Sequence, residues 1–232
     1  MDINCSRSIG FEGSEYREEY KSNQPKYIAE RLTELTGQEY YWAFAYSIKN
    51  AEKIPSAQEG DALYGNAIVS RYPIQSVRSF KVYCHDYDPS DPNTQFGFWL
   101  GGGNYYEVKT VLIAEIDVNG VIVTVVVSHF GLADDERALM TEMLVEEIGN
   151  VDTPVILLGD FNSAPGDANL GRLDAILNPA GGAEDRGATH ESGNRIDWIY
   201  TSDDFEMKDY AVLSEIGYSD HYPVTVKVAL KD

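Results

Sequence analysis

The sequence reads as a mixed α/β chain, and three local patterns carry that expectation. Residues 25 to 36 have the apolar spacing of an amphipathic helix, Val111 to Ser128 has the form of a β-hairpin about Asn119-Gly120, and Val155 to Leu158 is a short apolar strand after a second helical stretch. Helix-period and strand-period segments that alternate in this way need a layered architecture to bury both kinds of apolar face.

The elements follow in order. Pro25 suits a first helical turn, Ile28, Leu32 and Leu35 share one face, and Gly37 suits the C-cap. Tyr40 to Ile48 alternates aromatic and small residues like a strand, and Ala67 to Ser70, stopped by Arg71-Tyr72-Pro73, predicts another. Residues 81 to 106, with Cys84, His85, Phe96, Phe98, Trp99 and a run of glycines, make a long connection expected to act as a flap on the substrate side. The hairpin strands Val111 to Val118 and Val121 to Ser128 flank the dipeptide favoured by type I′ turns, and the second strand delivers His129. Asp134 or Asp135 can cap a helix running to about Ile148, with Leu139, Met143 and Leu144 inward. Val155 to Leu158 then leads into Gly159-Asp160, Ile196 to Tyr200 carries Asp197, and Pro223 to Leu230 closes the chain after Ser219-Asp220-His221. Polar groups gather at strand ends.

The 232 residues show no linker or shift of composition, so residues 1 to 232 are expected to form a single domain. The net charge of −20, from 18 basic and 38 acidic residues, argues against long nucleic acid as a partner, because that affinity rests on Lys and Arg neutralising phosphates. Cations bound to a carboxylate cluster would offset part of that charge, which leaves a small phosphate ester open as substrate. Cys5 and Cys84 match no zinc signature; they could form one bridge or none, and two free thiols are expected. No apolar run approaches the roughly 20 residues of a membrane span, and Met1-Asp2-Ile3-Asn4 does not resemble a signal peptide. A cytoplasmic monomer is the expectation.

Hydrolysis of a phosphate ester requires charge neutralisation at the phosphoryl oxygens, a base to orient water, and donors for the developing charge. Asp160 and Asn162, two residues apart at a strand end, point the same way if strand geometry persists, and could then hold a water or a metal together; the plainer alternative is an Asx-turn that ends the strand. His129 emerges where a buried strand reaches the surface, although a lone histidine there is more often a satisfied core residue. In Asp220-His221 the acid can face a metal while the imidazole faces phosphate, against the alternative of a polar turn before Pro223. Asp197, between Ile196 and Trp198, needs a partner if buried: His221, which it would orient, or a cation such as Arg195. Singly, each plain alternative is the better one. Together, four such motifs at strand ends favour one shared site.

In order along the chain, Tyr64-Gly65-Asn66-Ala67-Ile68, Ser128-His129, Gly159-Asp160-Phe161-Asn162, Arg195-Ile196-Asp197-Trp198-Ile199 and Ser219-Asp220-His221 resemble the signals of the endonuclease/exonuclease/phosphatase superfamily. The resemblance covers essentially the whole chain. It implies a four-layer α/β sandwich, two packed and mainly antiparallel β-sheets flanked by helices, with a Mg²⁺ or Mn²⁺ site at one end of the sheets. It further implies that His129 and His221 contact the scissile phosphate, that Asp160 with Asn162 positions the attacking water, that Asp197 pairs with His221, and that Asp220 belongs to the metal or histidine shell, with Asp160 and Asp220 as the expected metal ligands. Asn66 stands where the family often lines its pocket. The implied activity is hydrolysis of phosphate mono- or diesters, with a small or phospholipid-like substrate expected ahead of long nucleic acid; the alternatives are a nuclease using Arg71, Arg78 and Lys81, or a silent phosphate-binding module. That last alternative arises because the family's opening strands, one bearing Asn and one ending in Gln-Glu, are not matched here: Met1-Asp2-Ile3-Asn4 resembles the stretch just after them, so the chain is expected to begin about two strands late.

Overall fold

A computed structural model describes residues 2–3, 23–49, 63–83, 88, 90, 98–101 and 104–231. Cys5, Cys84, His85 and Phe96 lie outside the described residues, as does most of the connection expected to form a flap. The chain divides into two compact units, Met1–Val121 and Ile122–Asp232.

The first unit contains β1 (Asp2–Ile3), α1 (Gln24–Thr36), β2 (Tyr41–Lys49), β3 (Leu63–Ser70), β4 (Ile74–Val82), β5 (Phe98–Gly101), β6 (Asn104–Tyr106) and β7 (Lys109–Val118). Strands β1, β3 and β2 form an antiparallel sheet in that order, and β2 and β3 pack against β7. Helix α1 starts as its sequence requires: the Asn23 side chain accepts the Lys26 N–H at 3.0 Å, Pro25 occupies the first turn, and Gly37 closes the helix with a left-handed φ of 70°. Its buried residues are Pro25 and Ala29, whereas Leu35, expected inward, is 66% exposed. The helix is short of a full apolar stripe, and its buried residues lie in its first half.

Strand β4 went unrecognised in the sequence because most of its residues are exposed and no apolar alternation marks it; its pairing partner β7 supplies the burial instead. Part of the supposed flap is regular, with β5 and β6 pairing antiparallel. Between β7 and the next strand, Asn119 and Gly120 have φ of 56° and 93°, the left-handed pair that a type I′ turn demands.

The second unit contains β8 (Val121–His129, its first residue excepted), α2 (Asp134–Gly149), β9 (Val155–Asp160), α3 (Ala168–Asp174), β10 (Asn178–Pro179), β11 (Asp197–Thr201), β12 (Phe205–Val212) and β13 (Val224–Leu230). Its sheet runs β10-β11-β9-β8; β8 and β9 are parallel, joined through α2, and the other neighbours are antiparallel. Strands β12 and β13 pair separately. Helix α2 begins without a side-chain cap, so Asp134 and Asp135 lie in the first turn, where their carboxylates complement the helix dipole. Its buried row is Glu136, Met140, Leu144 and Ile148, at intervals of four, with Thr141 beside it; Leu139 and Met143 flank that row half-buried. Among the described residues no helix is long and apolar enough to cross a membrane.

Alternation sorts β8, β9 and β11 into two faces. Val126, Leu157 and Tyr200 stand in register across the three strands and are essentially inaccessible. Burial of each aliphatic side chain in that row contributes roughly 1.5–3 kcal/mol. The opposite face of the same strands is half-buried and carries the polar strand ends. Gly159 makes the β8–β9 approach possible, because a Cβ there would lie 1.8 Å from the Ser128 carbonyl oxygen and its φ of 149° disfavours a side chain. Gly159→Ala is therefore expected to destabilise the protein by about 3 kcal/mol, read as a lower urea midpoint; an unchanged midpoint would show that the two strands separate without cost.

Candidate active site

Register alone brings three of the expected residues into one row. In the parallel pair His129 lies opposite Asp160, and in the antiparallel pair Asp160 lies opposite Asp197, so the ends of β8 and β9 and the start of β11 present their polar side chains on one face. The chain turns inward immediately afterwards. Phe130 and Phe161 are fully buried and stack at 4.5 Å, while Phe130 N–H donates to the Asp160 carbonyl and Phe161 N–H to that of Ile196, each at 2.8 Å. Apolar anchors one residue beyond each polar group thus hold the strand ends level.

His221 comes from a loop. Its place is set by the segment before β11: His190 and His221 form an isolated antiparallel bridge, Tyr222 N–H donates to the Thr189 carbonyl, and Glu191 N–H donates to that of Asp220. The Thr189 hydroxyl oxygen in turn accepts the N–H groups of Ile196 and Asp197, both at 3.0 Å. A single short segment therefore locks the start of β11 to the loop bearing His221.

The side chains converge on Asp160. Its Oδ2 lies 3.5 Å from His129 Nε2 and 3.8 Å from His221 Nε2, and Asp197 Oδ2 accepts a hydrogen bond from His221 Nδ1 at 2.9 Å. Because a carboxylate only accepts, this bond fixes the His221 proton on Nδ1 and turns Nε2 toward Asp160. Burial pulls the His221 pKa down, but the Asp197 hydrogen bond and the charges of Asp197, Asp160 and Asp220 outweigh it, leaving the pKa above its ordinary value. Arg195, the alternative partner of Asp197, points elsewhere: its guanidinium donates to the carbonyls of Ala180, Gly182 and Glu184 and covers the Trp198 ring at 3.8 Å.

The other candidates are placed differently. Strand geometry does not persist to Asn162, which takes a left-handed φ of 47°; its N–H donates to Asp160 Oδ1 at 2.9 Å, closing an Asx-turn, and its side-chain amide donates to the Phe130 carbonyl at 2.8 Å. Asn162 therefore steadies the Asp160 carboxylate through its backbone. Asp220 is mostly exposed and lies beside His190, with Nε2 to Oδ2 at 3.7 Å; the Ser219 hydroxyl is the main influence lowering its pKa. Asn66 belongs to the first unit, where its amide donates to the Thr110 carbonyl at 2.8 Å, and Glu107 of that unit is paired with the buried Lys109. His190 carries no motif in the sequence, and only the bridge to His221 draws it in.

Divalent cations such as Mg²⁺ and Mn²⁺ prefer carboxylate oxygens. Two groups of donors lie within 4.8 Å of one another, Asp160 with Asp197 and His221, and His190 with Asp220 and His221. The first is half-buried, carries two carboxylates and fits such an ion in donor type and spacing; Asp160 and Asp220 do not share a group.

The charged His221–Asp197 pair sets a pH dependence. With the folded pKa of His221 above the unfolded value near 6.5, its stabilisation is complete below about pH 6.5 and is lost as pH rises through the folded pKa. Asp197→Asn is expected to lower the His221 titration midpoint in NMR and to remove the pH-dependent part of the stability difference; an unmoved midpoint would break the pairing.

A sequence model of the endonuclease/exonuclease/phosphatase family matches residues 23–221. No curated protein matches the chain. Among solved structures, a mannosyl-6-phosphatase from Bacteroides thetaiotaomicron superposes with a TM-score of 0.60 at 17% identity, covering 89% of this chain and 82% of its own. A family protein from Leptotrichia buccalis gives 0.60 at 17% identity over 99% and 84%, and the human Nocturnin catalytic domain, solved with sulfate bound, gives 0.60 at 15% identity over 91% and 78%. At these identities the likeness carries the fold, an α/β sandwich of mainly antiparallel sheets with flanking helices. By the extent of the family match, from the first helix to His221, the chain belongs to the endonuclease/exonuclease/phosphatase family.

Proposed function

We propose that the protein is a divalent-metal-dependent phosphoesterase acting on small phosphate mono- or diesters. The observation that supports this most is the convergence of His129 Nε2 and His221 Nε2 on one oxygen of Asp160, with Asp197 holding the far side of His221. Asp160, with support from Asp197, would hold a Mg²⁺ or Mn²⁺ ion, and the ion when bound supplies charge neutralisation at the phosphoryl oxygens. Asp160 also orients the attacking water. His221, its Nδ1 committed to Asp197, in its protonated form donates through Nε2 to a phosphoryl oxygen, and His129 contacts the same group from the other strand beside Asp160. Asn162 contributes by fixing Asp160 through the Asx-turn. Asn66 lies in the first unit, where its amide serves the Thr110 carbonyl, and takes no part in this proposal.

A small or lipid-derived substrate is favoured over long nucleic acid by the net charge of −20. A cavity of about 260 Å³ lined by Asp160 and Asp197 together with Leu158, Ile199 and Pro223 gives an apolar part of such a substrate a place beside the carboxylates. The nuclease alternative predicts activity on DNA that climbs steeply as salt falls.

Hydrolysis of bis-p-nitrophenyl phosphate with Mg²⁺ or Mn²⁺ tests the proposal. The wild-type protein is expected to turn over and EDTA to abolish it, and His129→Ala or Asp160→Ala should each lower kcat by about a hundredfold or more with unchanged circular dichroism. Phosphate binding without turnover on any ester would leave a silent binding module, and equal rates in the Asp160→Ala variant would displace Asp160 from the site.

A further inference from the structure

His190 has no role in the chemistry above, yet it is held as firmly as His221. Its Nδ1 accepts the backbone N–H of Ser192 at 3.1 Å and lies 2.8 Å from the Ser192 hydroxyl oxygen, while its ring meets the His221 ring edge-on at 4.6 Å between centroids. A backbone N–H can only donate, so Nδ1 is the acceptor and the proton of the neutral imidazole sits on Nε2. The two neighbouring histidines are thereby oriented by different partners, His221 with Nδ1 donating to a carboxylate and His190 with Nδ1 accepting from an amide.

This bears on what the group of His190, Asp220 and His221 can hold. Metal ligation through His190 Nε2 needs a lone pair on that nitrogen, and the Ser192 N–H keeps the lone pair on the other. Nε2–H makes no hydrogen bond among the described residues; Asp220 Oδ2, at 3.7 Å, is beyond hydrogen-bond length. The His190 side chain is about one-fifth exposed, so the imidazole is not sealed off from solvent. One ring nitrogen of His190 lies within 4.8 Å of one of His221, so the two imidazoles are close enough for donors, each reaching about 2.9 Å, to serve one phosphoryl group.

We infer that His190 is a third substrate-contacting imidazole, an uncharged Nε2–H donor to a phosphoryl oxygen, and that it selects phosphate monoesters over diesters; this rests on the proposed phosphoesterase activity. A monoester presents one more terminal oxygen than a diester. With His129 and His221 each meeting one oxygen, a third donor has a partner only when the second ester group is missing.

Two substitutions separate the donor from the ring. His190→Phe keeps an aromatic edge against His221 and removes the N–H, whereas His190→Gln supplies an amide N–H without the ring. With Mg²⁺ present, His190→Phe is expected to lower kcat/KM on p-nitrophenyl phosphate by about tenfold, the loss of one hydrogen bond to a charged group, and by clearly less on bis-p-nitrophenyl phosphate. His190→Gln should recover most of the monoester rate. Long-range ¹H–¹⁵N NMR should place the His190 proton on Nε2. Full monoester activity in His190→Phe, equal losses on both esters, or a proton on Nδ1 would each overturn the inference while leaving the phosphoesterase proposal intact. A wild-type protein that hydrolyses neither ester would overturn both.

Discussion

The level at which β8, β9 and β11 end relative to one another is the constraint on which the site depends. A shift of one residue in either pairing would send His129, Asp160 or Asp197 to the opposite face, into a core filled by Val126, Leu157 and Tyr200. The carboxylates could not ionise there without partners, and the cost of burying them would far exceed what the register contributes locally. The apolar row and the polar row thus enforce each other: the core sets the register, and the register sets the site. Gly159, by letting β8 and β9 close on each other, and the stacked Phe130 and Phe161, by turning the chain inward, keep the ends in line.

Around that row, hydrogen bonds decide which way each imidazole faces. Asp197 commits His221 Nδ1, the Ser192 amide commits His190 Nδ1, and the Asx-turn of Asn162 commits one oxygen of Asp160. Beside the remaining Asp160 oxygen, Oδ2, lie the Nε2 atoms of His129 and His221. Such preorganisation matters for phosphoryl chemistry because donors and acceptors already oriented need no rearrangement as charge develops.

The cluster also bears on the protein's acidity. In a chain of net charge −20, Asp160 and Asp197 share one donor group with His221, and Asp220 shares a second with His221 and His190. The neighbouring acids raise the His221 pKa, and a divalent cation would offset their repulsion, which ties the proposed metal dependence to the fold's own electrostatics.

Much of this was legible in the sequence because the signals were local. The cap and stop of α1, the Asn119-Gly120 turn and the apolar strands follow from side-chain periodicity and backbone preference, which depend on near neighbours alone. The polar residues at strand ends could also be read, and the ordered family signals tied them to one site. The exposed strand β4, the burial row of α2 and the left-handed Asn162 were not legible, since each depends on what lies across space: a partner strand, a packing surface, a carboxylate to accept an N–H. His190 is the clearest case. Nothing near it in sequence distinguishes it from a surface histidine, and only the pairing of its segment with that of His221, 31 residues further along the chain, sets its tautomer and its place beside the site. Sequence by itself determined which residues could do the chemistry; the tertiary structure decided their orientation and protonation, because those are fixed by hydrogen bonds between segments that only folding brings together.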